Sequence, residues 1–563
     1  MEKSYDVVVI GSGFGGSITG CRLAQAGRSV CILERGKRWD KSDFPRSISQ
    51  AAKAFWKKSE KDYGFLDYRV FKRIDVIQGC GVGGGSLHYF NVHLRTPKEI
   101  FEKKEWPKRI TRAVMDVYYD RVHDMLDVVK LHPPQGRSMP SKTEAFLAAA
   151  RASSGKAPDL VPIAVYTGPD RANPHSGIPQ TACNYQGNCM LGCDLHAKNT
   201  LDLNYIPLAE KHGAEIYPLH QVDKIEPVAN SYKVHFERLD QSESGSIIGK
   251  KIVVSAGTLG STEILLRCKN VHRTLPNISP ALGRQFSTNG DFILAGTLDA
   301  DRDIDPSQGP SITAGVDFST KNNRIYIQDL GFPNPFMWFL QASVPSHSRL
   351  RNLLNVVKTY ILATLGFSIE SSRIGSEIQE VLTSGFVSRF LPYLGMGTDA
   401  ADGRLKLRDG WIDIDWNPRN SMQMFKELER ALKELSRAIN GRYITSILWK
   451  WPHRRILTAH PLGGCIMGDD KGTGVVNEYG EVWGYPNLYV ADGSIIPTAL
   501  AVNPSMTISA LAERIAFHII HGREMESGDP DTPKNSYELR ATSQKRSYKL
   551  QATSGKPEGY WLM

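Results

Sequence analysis

The first 34 residues contain the pattern that most constrains how this chain folds. A run rich in β-branched residues at 5–10 leads into GSGFGG at 11–16, a helical pattern ends near Gly27, and a second strand-like run ends at Glu34. Short runs of this kind are typical of strands buried in a parallel sheet. The unit also has the roughly 30-residue length of a β-α-β motif. The pattern therefore predicts an α/β fold built on a parallel sheet.

The glycines of this unit are spaced for binding a dinucleotide. Gly11 allows a tight turn, Gly13 lets the backbone approach a pyrophosphate, and Gly16 allows close contact between helix and sheet. The phosphates would lie at the helix N-terminus, and the carboxylate of Glu34 is placed to accept hydrogen bonds from a ribose diol. NADP is an alternative dinucleotide, because NADP sites usually have a basic residue in place of the acid and Arg35 lies next to Glu34. A second strand and turn near the C-terminus favours FAD, held from both ends.

Composition limits the class of protein. The chain has 563 residues, enough for about two to four domains, and its hydrophobic fraction of 41% excludes a mainly disordered chain. Eight cysteines are too few for a disulfide scaffold. The N-terminus lacks the pattern of a secretory signal. The sequence has no run of about 18 apolar residues, so no transmembrane helix is predicted. We expect a cytoplasmic protein in a reducing compartment.

The positive charge is unevenly distributed. The formal net charge is +10, yet residues 534–556 hold six Lys or Arg against one Glu and so account for half of it. A basic tail of this kind either stays solvated or attracts an anionic membrane surface. We therefore expect no nucleic-acid partner, and a peripheral membrane contact is the alternative to a freely cytoplasmic protein.

Six segments, in this order, carry a resemblance to a known family. They are GSGFGGSITGCRLAQAG with LERG near the N-terminus, GCGVGGGSLHYFNVHLR (79–95), VVSAGTLGSTEILLR (253–267), LGRQFSTNGDF (282–292), HPLGGCIMG (460–468) and NLYVADGSIIPTALAVNPSMTISALAERIA (487–516). The chain resembles the glucose–methanol–choline (GMC) oxidoreductases, and among them the cholesterol-oxidase-like bacterial branch. The resemblance extends to about residue 523. It implies a flavoprotein that oxidises an alcohol by hydride transfer to the N5 atom of FAD.

The resemblance also implies the fold class and the domain organisation. We expect a mixed α/β (α+β) protein, in which a discontinuous Rossmann-type FAD-binding domain is combined with a substrate-binding domain of mainly antiparallel strands and helices. The FAD-binding domain would comprise 1–97, 196–297 and 455–523, and the substrate domain 98–195 and 298–454, followed by a basic, flexible tail at 524–563. Residues 132–180 are rich in Pro, Gly and Ser and are predicted as loop. Helices are predicted at about 418–440 and from about 505.

The family motifs place the cofactor on particular residues. The Gly run at 81–85 offers consecutive backbone N–H groups to a diphosphate or a flavin edge. Bulky His88, Tyr89 and Phe90 depart from the smaller residues usual there. His88 leaves covalent attachment of FAD open, although noncovalent binding is expected. The resemblance assigns cofactor contacts to Gly11, Ser12, Gly13, Phe14, Gly15, Gly16, Glu34, Arg35, Gly83, Gly84, Gly85, Ser86, Asn91, Val222, Ala256, Gly257, Asp492, Gly493, Pro504 and Met506.

His460 and Asn503 are the predicted catalytic residues. Oxidation of an alcohol removes the hydroxyl proton and a carbon-bound hydrogen, so a base or hydrogen-bond partner must lie at the hydroxyl. His460 opens a Pro-Leu-Gly-Gly turn that can aim its imidazole, and an imidazole suits either role near neutral pH. Asn503 precedes Pro504 at a helix start. In the family, these two side chains flank the substrate hydroxyl.

Gln328 stands where cholesterol-oxidase-like chains are expected to have a glutamate. Glutamine cannot take a proton at ordinary pH, whereas isomerisation of a Δ5 double bond needs a proton shuttle. We therefore expect dehydrogenation through His460 with weak or absent isomerase activity. Asp329 is a poor substitute because neighbouring side chains of a strand face opposite ways.

Two further segments have open interpretations. Cys183, Cys189 and Cys193 precede His196 at a spacing that matches no standard zinc or iron–sulfur ligand set. We therefore predict no metal and favour buried thiols over a metal site or a redox disulfide. Residues 350–395 contain apolar and amphipathic helical patterns, which suit either a pair of core helices or a lid that faces lipid.

The predicted function is the FAD-dependent oxidation of a hydrophobic secondary alcohol, such as the 3-hydroxyl of a steroid or sterol, to a ketone. A long-chain or terpenoid alcohol is an alternative substrate. Light-driven fatty-acid decarboxylation and a flavin-bearing lipid-binding protein without turnover are alternatives from other classes. Both molecular oxygen and another electron acceptor are left open by the sequence. Access of oxygen to the flavin depends on the shape of a tunnel and not on a motif.

Overall fold

The computed structural model describes residues 3–133, 136–153, 157–298, 303–333, 389–446, 449–450 and 454–526, together with positions 358 and 529. The strands of its main sheets are β1 (Ser4–Ile10), β2 (Val30–Leu33), β3 (Leu66–Val70), β4 (Ile74–Gly79), β5 (Asp159–Leu160), β6 (Glu215–Tyr217), β7 (His220–Val228), β8 (Ser231–Arg238), β9 (Glu243–Val254), β10 (Phe292–Leu298), β11 (Ala314–Asp317), β12 (Ile325–Asp329), β13 (Phe390–Gly397), β14 (Arg404–Arg408), β15 (Trp411–Asp415), β16 (Arg442–Thr445), β17 (Ile456–Thr458) and β18 (Leu488–Val490). The α-helices are α1 (Phe14–Gln25), α2 (Ile48–Ala51), α3 (Lys98–Phe101), α4 (Arg112–Met125), α5 (Ser141–Ala152), α6 (Tyr205–Lys211), α7 (Gly257–Asn270), α8 (Met422–Ala438) and α9 (Ser505–His521).

The N-terminal unit forms the centre of a seven-stranded sheet. β1 pairs in parallel with β2 on one side and with β9 on the other. β6 extends the sheet beyond β2, β18 runs parallel to the end of β9, and β8 and β7 continue it as antiparallel strands. The buried β-branched residues of β1 suit this central place. The predicted mixed α/β class is confirmed.

Helix α1 lies close to the ends of the central strands because glycine leaves room for it. A Cβ atom at Gly15 would lie 1.4 Å from the carbonyl oxygen of Ala491, and one at Gly16 would lie 1.9 Å from that of Gly11. Gly11 has a φ of 95°, a conformation that side chains rarely adopt. A Cβ atom there would lie 2.4 Å from the carbonyl oxygen of Ser255. Three distant parts of the chain therefore meet at this turn.

A buried carboxylate connects the helices that cover this sheet. Glu513 of α9 accepts hydrogen bonds from Arg22 of α1 at 2.8–3.1 Å and from the hydroxyl of Tyr205 of α6 at 2.7 Å. Arg121 of α4 lies 3.4 Å from the same carboxylate. Burial alone would raise the pKa of Glu513, but the two guanidinium groups outweigh it and lower the pKa. This ion cluster ties four helices together.

A second, six-stranded sheet is built from antiparallel pairs. Its strand order is β16-β10-β13-β12-β11-β5. β13, at the inside of this sheet, is buried along its whole length. Helix α8 covers the sheet with a stripe of buried residues at helical spacing, Phe425, Leu428, Leu432 and Leu435. The helices predicted near 418–440 and from about 505 are found as α8 and α9.

The prediction of loop for residues 132–180 is wrong at Ser141–Ala152, which forms α5. Pro140 immediately precedes this helix, a position where its missing N–H costs nothing. Lys142 of α5 donates to Asp329 of β12 at 2.6 Å, and both side chains are fully buried. Prolines, glycines and serines surround this short helix in the sequence and favour the prediction of a loop. Tertiary packing stabilises the helix.

Three expectations from the sequence stay predictions. The basic stretch at 534–556 lies outside the described residues, as does the segment at 350–395 except for position 358 and residues 389–395. The proposed domain boundaries also stay a prediction. Within the part of the chain that the structure describes, no helix is long and apolar enough to cross a membrane.

We expect Glu513→Gln to destabilise the protein by about 3–5 kcal/mol, because it leaves the buried guanidinium groups of Arg22 and Arg121 without their countercharge. The midpoint of urea unfolding, followed by circular dichroism, measures the change. Glu215→Gln removes the exposed partner of Lys3 and is the matched control, which should leave the midpoint nearly unchanged. Equal midpoints for wild type and Glu513→Gln would contradict the role of this cluster.

Candidate active site

A cavity of about 760 Å³ extends from the ends of β1 and β2 to residues on and after β10 and β12. Its volume lies within the usual range for ligand-binding cavities. The predicted site residues that line it are Gly11, Gly13, Phe14, Gly15, Glu34, Arg35, Gly84, Gly85, Val222, Ala256, Gly257, His460, Asp492, Gly493, Asn503 and Pro504. Those that are buried but do not line it are Ser12, Gly16, Gly83, Ser86, Asn91 and Met506. The fold thus brings most of the predicted residues to one cavity.

The turn before α1 fits the phosphates of a dinucleotide. Gly13 is the N-cap residue of α1, and no side chain of the described residues caps the first turn. The N–H groups of that turn are therefore available to an anion. A Cβ atom at Gly13 or at Gly257 would meet no described atom within 4 Å. Because both residues line the cavity, the space that their side chains would take is left for a ligand.

Both oxygens of the Glu34 carboxylate are engaged inside the protein. Oε2 accepts from the backbone N–H and the hydroxyl of Ser12 at 2.9 and 2.8 Å. Oε1 accepts from the backbone N–H groups of Gly36 and Gly81 at 2.9 and 3.2 Å. Glu34 thus fastens the first Gly-rich turn to the second. A bound ribose would share this carboxylate with these donors.

Two other charged residues of the predicted cofactor site have partners within the protein. Arg35, which left NADP open, donates to Asp67 at 2.6 Å, and its charge is therefore compensated. Asp492 accepts from the backbone N–H groups of Ser494 and Gly257 at 2.8 and 2.9 Å. Burial raises the pKa of Asp492. A compensated Arg35 offers little to the extra phosphate of NADP and agrees better with FAD.

His460 is held by a carboxylate that the sequence motifs did not single out. Its Nδ1 lies 2.8 Å from Oδ1 of the fully buried Asp291. The second oxygen of Asp291 accepts from the hydroxyl of Thr458 and from the backbone N–H groups of Ala459 and His460 at 2.8–3.1 Å. A carboxylate only accepts, so Nδ1 carries the hydrogen, and in the neutral imidazole Nε2 is the acceptor. His460 lines the cavity, and no hydrogen bond from the described residues reaches Nε2.

Asn503 is oriented by Gln328. The Nε2 of Gln328 donates to Oδ1 of Asn503 at 2.8 Å, which leaves the amide hydrogens of Asn503 for another acceptor. Gln328 is fully buried, and its Oε1 has no hydrogen-bond partner in the described part of the chain. Asp329 is bound elsewhere, by Lys142 and by the backbone N–H of Thr313. The neighbouring side chains of Gln328 and Asp329 therefore have different hydrogen-bond partners.

The cavity wall near His460 is largely apolar. Phe90 and Phe332 meet edge to face with 6.1 Å between their ring centres, and both line the cavity together with Ile293. His88 lies in the same wall, and its Nε2 has no hydrogen-bond partner among the residues described. Burial lowers the pKa of His88 to about 3, so its imidazole is neutral at ordinary pH. This wall suits a hydrophobic ligand.

Of the three cysteines of the 183–193 segment, Cys189 lies next to residues that follow the second Gly-rich turn. Asn91 donates to Sγ of Cys189 at 3.2 Å, and Lys198 donates to the carbonyl oxygen of the same cysteine at 2.7 Å. Burial raises the pKa of Cys183 and Cys193 and lowers that of Lys198 to about 8. Across the described ranges, no group of three His, Cys, Asp or Glu residues is arranged to hold a metal.

Comparisons with known proteins show what this chain is similar to. Two family models described as GMC oxidoreductase match residues 5–286 and 400–512. The chain is 30% identical to a cholesterol oxidase of Acinetobacter baumannii, over 92% of this chain and 94% of the relative. It is also 30% identical to a cholesterol oxidase of Mycobacterium tuberculosis, over 92% of this chain and 91% of the relative. The crystal structure of a pyridoxine 4-oxidase from Mesorbium loti has the same fold, with a TM-score of 0.58, 17% identity, and coverage of 92% of this chain and 99% of that chain.

We expect Gly13→Ala to leave folding intact and to raise the Kd of FAD about 10-fold, which corresponds to about 1.4 kcal/mol. Gly13 has an ordinary φ of −70°, so alanine adds no strain and its methyl group enters the cavity. Titration of the flavin-free chain with FAD measures the Kd. Gly472→Ala, in an exposed loop, is the control. An unchanged Kd for Gly13→Ala would show that the cofactor does not approach this turn.

Proposed function

The chain belongs to the GMC oxidoreductase family of FAD-dependent enzymes that act on CH–OH groups, and we propose that it oxidises a hydrophobic secondary alcohol of steroid or sterol type to a ketone. The observation that carries the proposal is the His460–Asp291 pair. His460 lines a largely apolar cavity, where its Nε2 is left for a substrate. The two cholesterol oxidases among the relatives support a sterol as the substrate class.

His460 and Asn503 act on the hydroxyl group in this proposal. Nε2 of His460 accepts the hydroxyl proton, and Asp291 keeps the imidazole in the required tautomer and stabilises the positive charge that it gains. The amide of Asn503, turned by Gln328, donates a hydrogen bond to the substrate oxygen. Bound FAD supplies the acceptor for the hydrogen and the electrons that leave the carbon atom.

The surroundings of the reaction complete the proposal. The first turn of α1, Gly13 and Gly257 would hold FAD without a covalent bond. Molecular oxygen is the proposed electron acceptor, because both relatives are named oxidases. A water-insoluble alcohol has to leave a lipid phase, so a peripheral membrane contact is included. The apolar wall with Phe90 and Phe332 would receive the hydrocarbon part of the substrate.

Anaerobic mixing of the holoenzyme with sterols, terpenoid alcohols and long-chain alcohols tests the proposal. We expect sterols to bleach the flavin absorbance in the dark, and His460→Gln to slow this reduction by about 10²–10⁴-fold, the usual contribution of a general base. Dark reduction also excludes a light-driven decarboxylase and a carrier without turnover. The FAD content of each sample controls for lost cofactor. Failure of every alcohol to bleach the flavin would refute the proposed function.

The product from a Δ5-3β-alcohol tests the role of Gln328. We expect the wild type to release the unconjugated ketone, because an amide cannot shuttle the proton that isomerisation requires. Gln328→Glu should yield the conjugated enone, detected by chromatography and ultraviolet absorbance. Gln328→Met, which removes the amide without adding a carboxyl group, is the control and should not isomerise. A conjugated enone as the main wild-type product would contradict this assignment.

A further inference from the structure

The β14–β15 hairpin places an exposed tryptophan on the wall of the cofactor cavity. Trp411 is 68% exposed and lines the cavity together with Val222 and Gly257. In the described part of the chain, the other strongly exposed large hydrophobic side chains are Val70 and Val271, and Val70 also lines the cavity. One exposed hydrophobic residue needs no explanation. Two of them line one cavity, where a bound ligand can cover them.

The tip of this hairpin is anchored to helix α7. Asp409 and Gly410 form its two-residue turn with φ values of 52° and 80°, which suits the type I′ turn of a hairpin. Arg267 of α7 donates to the carbonyl oxygen of Gly410 at 3.1 Å and to Asp223 at 3.1 Å. The centre of its guanidinium group lies 5.8 Å from the centre of the Trp411 ring. The tryptophan is therefore held at a fixed place on the cavity.

Arg267 adds a guanidinium group at the same place. It lines the cavity, and its Nε is buried without a hydrogen-bond partner among the described residues, although the terminal nitrogens are bonded. The Arg267 side chain is 23% exposed, so its flat guanidinium group is partly open to a ligand that lies beside the indole ring.

We propose that Trp411 and Arg267 cap the adenine ring of FAD. Adenine is a flat aromatic ring that stacks on an indole or a guanidinium group, and its ring nitrogens accept hydrogen bonds. Val222 and Gly257, which the family resemblance assigns to the cofactor, line the same cavity as Trp411. The proposal rests on FAD as the cofactor and is independent of which alcohol is oxidised.

Titrations of the full-length, flavin-free chain with FAD, ADP and FMN test this assignment. Trp411→Ala should raise the Kd of FAD and of ADP by about 5- to 100-fold, the loss expected for one stacked base. The Kd of FMN, which lacks adenosine, should stay within about twofold of wild type. Trp411→Phe retains an aromatic ring and should recover most of the affinity. Val271→Ala, at an exposed residue outside the cavity, is the matched control.

Two results would overturn the assignment. Unchanged Kd values for FAD and ADP in Trp411→Ala would show that the indole ring does not contact adenine. An equal loss for FMN would show that the substitution distorts the whole cavity. Because no alcohol is present in these titrations, their outcome is separate from that of the proposed function. If FAD binding depends on Trp411 but no alcohol reduces the flavin, only the proposed function is refuted.

Discussion

Backbone contact between three distant parts of the chain is the constraint on which the cavity depends. Helix α1 reaches Ala491 only because Gly15 has no Cβ atom, and its first turn passes Gly11 only because Gly16 has none. When these contacts form, the ends of β1, β2, β9 and β18 lie together, and the ligand-facing loops that follow them share one space. The cavity therefore lies where ligands of open α/β sheets usually bind, beyond the carboxyl ends of the strands.

Buried carboxylates hold the loops around this space. Loops have backbone N–H groups that no sheet or helix satisfies, and each of these groups needs a partner when it is buried. Glu34 accepts hydrogen bonds from loop N–H groups of both Gly-rich segments. Asp492 accepts from the N–H of Gly257 at the start of α7. Asp291 accepts from two consecutive backbone N–H groups with one oxygen and from the imidazole of His460 with the other. The orientation of His460 is thus set by the same carboxylate that shapes its loop.

Local patterns predicted the parts of the fold that depend on neighbouring residues. The β-α-β unit, α8 and α9 carry their periodicity within short segments, and the family motifs predicted His460 and Asn503, both of which line the cavity. Asp291 was missed because its partner lies 169 positions away, although it stands inside the family segment at 282–292. Helix α5 was missed because loop-forming residues surround it. The order of the antiparallel sheet depends on pairings between distant segments, which no local pattern records.

The position of β18 beside β9 has a consequence for the synthesis of this protein. The last strand of the parallel sheet and the helix that carries Glu513 follow β1 by about 480 residues. At about 5–20 residues per second, the ribosome needs roughly 25–100 s to make this length. From the moment each is made until that length is complete, the end of β9 lacks β18, and Arg22 and Arg121 lack Glu513. The nascent chain therefore exposes these groups until α9 has been made, and the parallel sheet and the helical layer can be completed only then.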